Sequence, residues 1–219
     1  MPNPPSLPPG VTIEGSGLGA GSAYDRQAAL YDRLVSSRLY NRLAWSTDSR
    51  DYERFARSAV DSATGPLLEV AAGTAIASAA AYRDSTRPVV ITDRSREMLA
   101  HAAHRLATDG VVRPGIRLVQ ADAFDLPFEP ATFDTVLCVG FLHLIDDPAD
   151  LVARLRRYLR PGGRLFLSSL VAATRVGTAY LDLLHRAGHI APPRTADDLA
   201  RLLGTTVRRR GSMAYIELS

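Results

Sequence analysis

The residues able to do chemistry lie in the middle of the chain, and their order narrows what that chemistry is. Glu69-Val70-Ala71-Ala72-Gly73-Thr74-Ala75 sets an acid ahead of a run of small residues. Small residues let a backbone pass close to a ligand, and the free N–H groups of a following helix suit a carboxylate. Gly73 is the position for the closest approach. Twenty residues later comes Asp93, an acceptor suited to ribose hydroxyls. Asp122-Ala123 then offers a carboxylate to an exocyclic amine and a backbone N–H to a ring nitrogen. Val139, Gly140, Phe141, Leu142 and His143 would line the remaining wall, with His143 best placed to act as a base. Each feature also has a plain structural reading: a tight turn, a helix cap, a core methionine at Met98, a hydrogen-bonded histidine. It is the ordered set, acid and loop and then two further acids, that points to one site.

For these residues to meet, each must sit at the end of a strand. Leu67-Leu68-Glu69-Val70 is a short apolar run. Val89 to Thr92, Ile116 to Val119, Thr135 to Val139 and Arg164 to Leu167 are four more. A helix is expected from Ser95 through Leu106, and another opens at Asp147-Pro148, with proline at the favoured first position. Apolar strands alternating with helices call for a parallel sheet covered on both faces. In such sheets ligands bind outside the carboxyl ends of the strands, where the strand order reverses. Near the end, Thr195 to Asp198 forms a capping box opening a helix that stops at Gly204, and Val207 to Leu218 reads as a hairpin turning at Gly211-Ser212. The fold class is α/β, doubly wound, with an antiparallel addition. Residues 1–22, rich in Pro, Gly and Ser, read as a flexible tail, 23–60 as a helical lid of the same domain, and 61–219 as the Rossmann-like domain.

From Leu67 to Leu170 the chain resembles the class I S-adenosylmethionine-dependent methyltransferases, in particular the small-molecule type with the quinone-biosynthesis pattern. The segments that carry this are Leu68 to Ala75, Thr92 to Leu99, Ala121 to Phe128, Phe133 to Val136, Phe141-Leu142-His143 with Asp147-Pro148, and Leu159 to Gly163. The resemblance implies a mostly parallel seven-stranded sheet with a reversed last strand. It implies S-adenosylmethionine as cofactor and S-adenosylhomocysteine as product. Glu69, Ala71, Gly73 and Ala75 would hold the methionine end, Asp93 and Arg94 the ribose, Met98 the adenine face, and Asp122 with Ala123 its edge, with Val139 alongside. Tyr31-Asp32 looks like the upstream aromatic–acid pair of that family, whose helix closes over the cofactor. Two departures stand out. Alanine replaces the first and third loop glycines at Ala71 and Ala75, and Leu144 stands where relatives carry a second histidine. If position 75 needs positive φ, its Cβ costs on the order of 1–2 kcal/mol.

Composition trims the rivals. The chain has 219 residues and a formal net charge of +3, and its 26 basic residues are all arginine. No basic domain is set apart for nucleic acid, and the Arg208-Arg209-Arg210 run reads as a solvated strand edge. No run reaches the roughly 18 apolar residues of a membrane span, and no secretion signal is visible, so a cytoplasmic protein is expected. A nicotinamide fingerprint fails, because its three glycine positions hold Ala71, Gly73 and Ile76. His101 with His104 and His185 with His189 lack a Glu or Cys to complete a metal site, so none is expected. The expected partner is a small, apolar or aromatic methyl acceptor, bound by Tyr24, Tyr31, Tyr40 and Trp45 together with Leu170 to His189; a homodimer is left open. The alternative reading is a methyltransferase fold that has given up methyl transfer for a cyclisation or rearrangement, prompted by Ala75.

Overall fold

The computed structural model describes residues 6–15 and 48–219. In chain order the elements are β1 (Ile13–Glu14), α1 (Ser49–Val60), β2 (Leu67–Glu69), α2 (Ala79–Tyr82), β3 (Val89–Asp93), α3 (Arg96–Thr108), β4 (Ile116–Gln120) and β5 (Phe133–Cys138). A 3-10 turn (Leu142–Leu144), α4 (Pro148–Arg156), β6 (Leu159–Leu170), α5 (Arg175–Arg186), α6 (Ala196–Leu203), β7 (Arg208–Arg210) and β8 (Met213–Leu218) complete it. The strands form one sheet in the order β1-β4-β3-β2-β5-β6-β8-β7. Strands β1 to β6 pair in parallel, β8 runs antiparallel to β6, and β7 antiparallel to β8. The order reverses at β2, which lies between β3 and β5, so the crevice expected of this topology opens at the carboxyl ends of those strands.

Burial on both faces follows from the two-residue period of a strand. Leu67, Val89, Ile91, Leu137, Phe166 and Tyr215 point into one core cluster, against Phe55, Ala56, Ala59 and Val60 of α1. Leu68, Val90, Val136, Cys138, Leu165, Leu167 and Ile216 point into the other, against Leu151 and Leu155 of α4 and Leu199 of α6. The local signals work as expected. Asp147 caps α4 with proline following it, Thr195 and Asp198 close their capping box reciprocally, and the hairpin turns between β7 and β8.

Three expectations need correction. An eighth strand joins the expected seven, and it comes from the segment read as a tail: Ile13–Glu14 pairs with Leu118 and Val119 of β4. Two residues carry no periodicity to read. The strand exists because Ile13 is buried against the core, Arg96 donates to its carbonyl, and Arg117 donates to Glu14 (Nε to Oε1 2.8 Å). Second, the last part of the expected lid is α1, which covers a sheet face: Phe55 packs edge-on against Phe166 at 5.7 Å between ring centroids. Third, the helix expected straight after the small-residue loop is only the four residues of α2. Tyr24, Tyr31, Asp32, Tyr40 and Trp45 lie outside the described residues.

Candidate functional site

Beyond β2 the chain makes a bend that needs left-handed backbone three times, at Ala71 (φ +52°), Gly73 (φ +55°) and Ala75 (φ +53°). The bend is pinned from two sides. The Gly73 N–H donates to Asp93 Oδ2 at 2.7 Å, while the Ser95 N–H donates to Oδ1 at 2.8 Å. Asp93 therefore serves the start of α3 and the loop at once. On the other side, the Arg105 guanidinium of α3 donates to the Thr74 carbonyl and hydroxyl at 2.6 and 2.7 Å. A Cβ added at Gly73 would meet no atom within 4 Å, so the bend borders open space there.

Glu69 ends β2 and is 2% exposed. Its Oε2 accepts hydrogen bonds from the Tyr82 hydroxyl at 2.7 Å and the Ser78 hydroxyl at 2.9 Å, both from the neighbourhood of α2. Burial pushes its carboxyl up to about 7; the two hydroxyls pull it back only in part, and the Asp93 carboxylate adds repulsion.

Past β4, Asp122 accepts the Phe124 N–H at 2.9 Å and faces the exposed Arg94 guanidinium at 3.8 Å. Its turn is real, since Asp122 and Asp125 form an isolated bridge. Ala123 is buried in the α4-side cluster. Met98, on α3, is buried at 5% exposure.

Past β5, Val139 packs against the α1-side cluster, and the Gly140 N–H donates to Ser168 Oγ at 2.8 Å. Gly140 has φ +68° and, like Gly73, faces open space. His143 sits in the 3-10 turn; its carbonyl accepts the Ala191 N–H, while its Nδ1 is buried with no hydrogen-bond partner among the described residues. Burial lowers its imidazole to about 4. It lines a small pocket with Ser169, Leu170, Leu181, Ile190 and Arg194. The sequence-predicted wall and the segment after β6 thus come together. Cys138, buried behind the site, has its thiol pushed well up by burial and is no thiolate nucleophile.

The family described as a methyltransferase domain matches residues 68–167, the stretch that builds β2 through β6. A demethylmenaquinone methyltransferase of Thermobifida fusca is 34% identical over 142 residues, covering 64% of this chain and 59% of that protein. A demethylmenaquinone methyltransferase of Renibacterium salmoninarum is 30% identical over 167 residues, covering 74% of this chain and 67% of that one. The chain belongs to the class I S-adenosylmethionine-dependent methyltransferases. It spans less than two thirds of the Thermobifida relative's length. Among solved structures, the [4+2]-cyclase SpnF superimposes with a TM-score of 0.65 at 20% identity, covering 89% of this chain and 73% of that one, a likeness of fold.

The chain carries alanine at two loop positions where the resemblance expects glycine, and both alanines adopt left-handed φ, a conformation that favours glycine. The residues present fit the family's cofactor. Open space flanks Gly73 and Gly140 on either side of the crevice, and acidic side chains stand at the ends of β2 and β3 and just past β4. Sequence reasoning missed Ser78, Tyr82, Arg105 and Ser168. Each reaches a site element from a distant position, and a lone hydroxyl or arginine on a helix or strand carries no signal of where it will point.

Proposed function

We propose that this methyltransferase binds S-adenosylmethionine in the crevice at the ends of β2, β3 and β4 and transfers its methyl group to a small, apolar or aromatic molecule. The observation that carries this reading is the Ala71–Ala75 bend tied through the Gly73 N–H to Asp93, with open space beside Gly73. In this reading Glu69, Ala71, Gly73 and Ala75 receive the methionine end, Asp93 and Arg94 the ribose, Met98, Asp122 and Ala123 the adenine, and Val139 the opposite wall. The bound cofactor supplies an electrophilic methyl on a sulfonium. The chain supplies position: in-line displacement needs the acceptor aligned and water excluded, and alignment alone is worth several kcal/mol.

His143 orients the acceptor through Nδ1. Burial lowers the His143 imidazole, so this reading gives it an orienting role and takes an acceptor that is already electron-rich, such as a ring carbon of a quinol or a phenolate. The names of the relatives, which act on demethylmenaquinone, favour the quinol. The reading takes no nucleic acid as partner; within the exposed arginine run, Arg208 lies over the Tyr215 ring at 5.5 Å and Arg210 faces Asp51 at 4.0 Å. No helix among the described residues is long and apolar enough to cross a membrane. The cyclisation reading is not favoured, because the relatives are named as methyltransferases, although Ala75 does carry the left-handed backbone that prompted it.

Calorimetry with S-adenosylmethionine and S-adenosylhomocysteine tests the site, and methylation of a naphthoquinol panel followed by mass tests the acceptor. Asp93→Ala is expected to weaken cofactor binding by about 1–3 kcal/mol, through lost charge-assisted hydrogen bonds and a released loop. Unchanged affinity would place the ribose elsewhere; silence to both ligands would end the proposal.

A further inference from the structure

Glu69 is the deepest acid of the site, and its surroundings are unusual for a carboxylate. It is 2% exposed, and among the described residues no arginine or histidine stands within ion-pair distance. The ionisable groups that face it are Tyr82 from α2, Asp93 from β3 and Cys138 from β5; none is a cation. What it has instead is two hydroxyls converging on one oxygen. Ser78 and Tyr82, themselves fully buried, both donate to Oε2. That occupies both lone pairs of Oε2 and locks the carboxyl plane, so a proton on the neutral form sits on Oε1.

We propose that Ser78 and Tyr82 are positioning residues of the cofactor site, turning Glu69 so that its free oxygen meets an ammonium-bearing ligand and gives up any proton it holds when that ligand arrives. This rests on the proposed site, in which Glu69 meets the methionine end. The exchange balances: the neutral carboxyl loses H+ to the solvent, and the carboxylate so formed pairs with the incoming ammonium. A buried carboxylate without a counter-cation is costly, and the ligand supplies a cation that the described residues do not place beside it. The two hydroxyls favour the charged form, because each can donate to a carboxylate oxygen. Without them the carboxyl would hold its proton harder still. The position of Glu69 at about 7 sets the window in which this exchange is visible.

The experiment is calorimetry of S-adenosylmethionine binding between pH 5.5 and 7.5, in pairs of buffers with different ionisation enthalpies, on the full chain and on Glu69→Gln, Tyr82→Phe and Ser78→Ala. In the unsubstituted protein affinity should rise about 20-fold across that range, with up to one proton released per ligand at the acid end. Glu69→Gln should bind weakly and without pH dependence. Tyr82→Phe and Ser78→Ala should shift the midpoint upward, so that affinity is still rising steeply with pH at pH 7.5 where the unsubstituted protein levels off, a shape that a merely structural loss cannot produce. Binding that is flat with pH in the unsubstituted protein, a pH dependence that survives in Glu69→Gln, or midpoints unmoved in both hydroxyl variants would overturn the proposal while leaving the site standing. Absence of binding at every pH would overturn the site itself. Circular dichroism of each variant separates misfolding from either result, and should Tyr82→Phe not fold, Ser78→Ala carries the test alone.

Discussion

Ala71 and Ala75 each carry a Cβ at a backbone position that favours glycine, at a cost of about 1–2 kcal/mol apiece. The two should respond differently to Gly. Ala71 is only half-buried, so Ala71→Gly relieves strain for little lost packing; net stability should rise by up to about 1 kcal/mol after the entropy gained by the unfolded chain. Ala75 is 1% exposed, and losing its methyl costs about 0.8 kcal/mol, so Ala75→Gly should come out near neutral by urea denaturation. The two shifted buried groups make a second prediction at this scale. Glu69 is raised on folding to about 7, so its contribution is present below its ordinary value near 4.5 and is lost as pH rises through 7. His143 is lowered to about 4 from 6.5, so its contribution is present above 6.5 and is lost as pH falls through 4. The two slopes oppose each other between pH 4.5 and 6.5. Glu69→Gln should unmask a stability that rises with pH there, and His143→Gln one that falls, both read as urea midpoints. Parallel slopes in the two variants would show that these groups do not control the profile.

Arg87 decides how one element is fastened. It is 4% exposed and spends its guanidinium on backbone carbonyls and one hydroxyl: Nε donates to the Gly65 carbonyl at 2.7 Å, Nη1 to the carbonyls of Ala59 and Val60 at the end of α1, and Nη2 to Thr135 Oγ1 at 3.0 Å. It closes the last turn of α1, where helix carbonyls have no partner of their own, and ties that turn to the starts of β2 and β5. Arg87→Met keeps bulk but strands those acceptors, and the expected loss is about 3 kcal/mol of unfolding free energy. Arg87→Lys should recover only part of it, since one ammonium cannot span the fork. The strands and most helices were legible beforehand for a physical reason. β2, β3 and β5 are apolar because both their faces are covered, and Asp147-Pro148 and Thr195 with Asp198 act locally on the helices they open. The brevity of α2 and the packing of α1 on the sheet were not legible, because they depend on what the chain meets across the core.

For the whole molecule, the exposed edges of the sheet are managed differently at its two ends. β7 protects one edge with three exposed arginines, two of them engaged with Tyr215 and Asp51. β1 covers the other by pairing with β4, and His104 reaches further back to the Ser6 carbonyl at 2.7 Å. Removing residues 1–15 should bare the β4 edge and Ile13's place in the core, so the truncated chain should self-associate at concentrations where the full chain does not, as read by light scattering. An unchanged size distribution would mean that β4 needs no cover. The sequence by itself determined the alternation of strand and helix, the antiparallel ending and the order in which Glu69, Asp93 and Asp122 fall on strand ends, because period, capping and turn chemistry are local properties. Tertiary structure alone decided that Asp93 grips the Gly73 amide, that Ser78 and Tyr82 hold Glu69, and that a two-residue strand closes the sheet. Those contacts join positions far apart in the chain, and only the packed sheet brings them within hydrogen-bond reach.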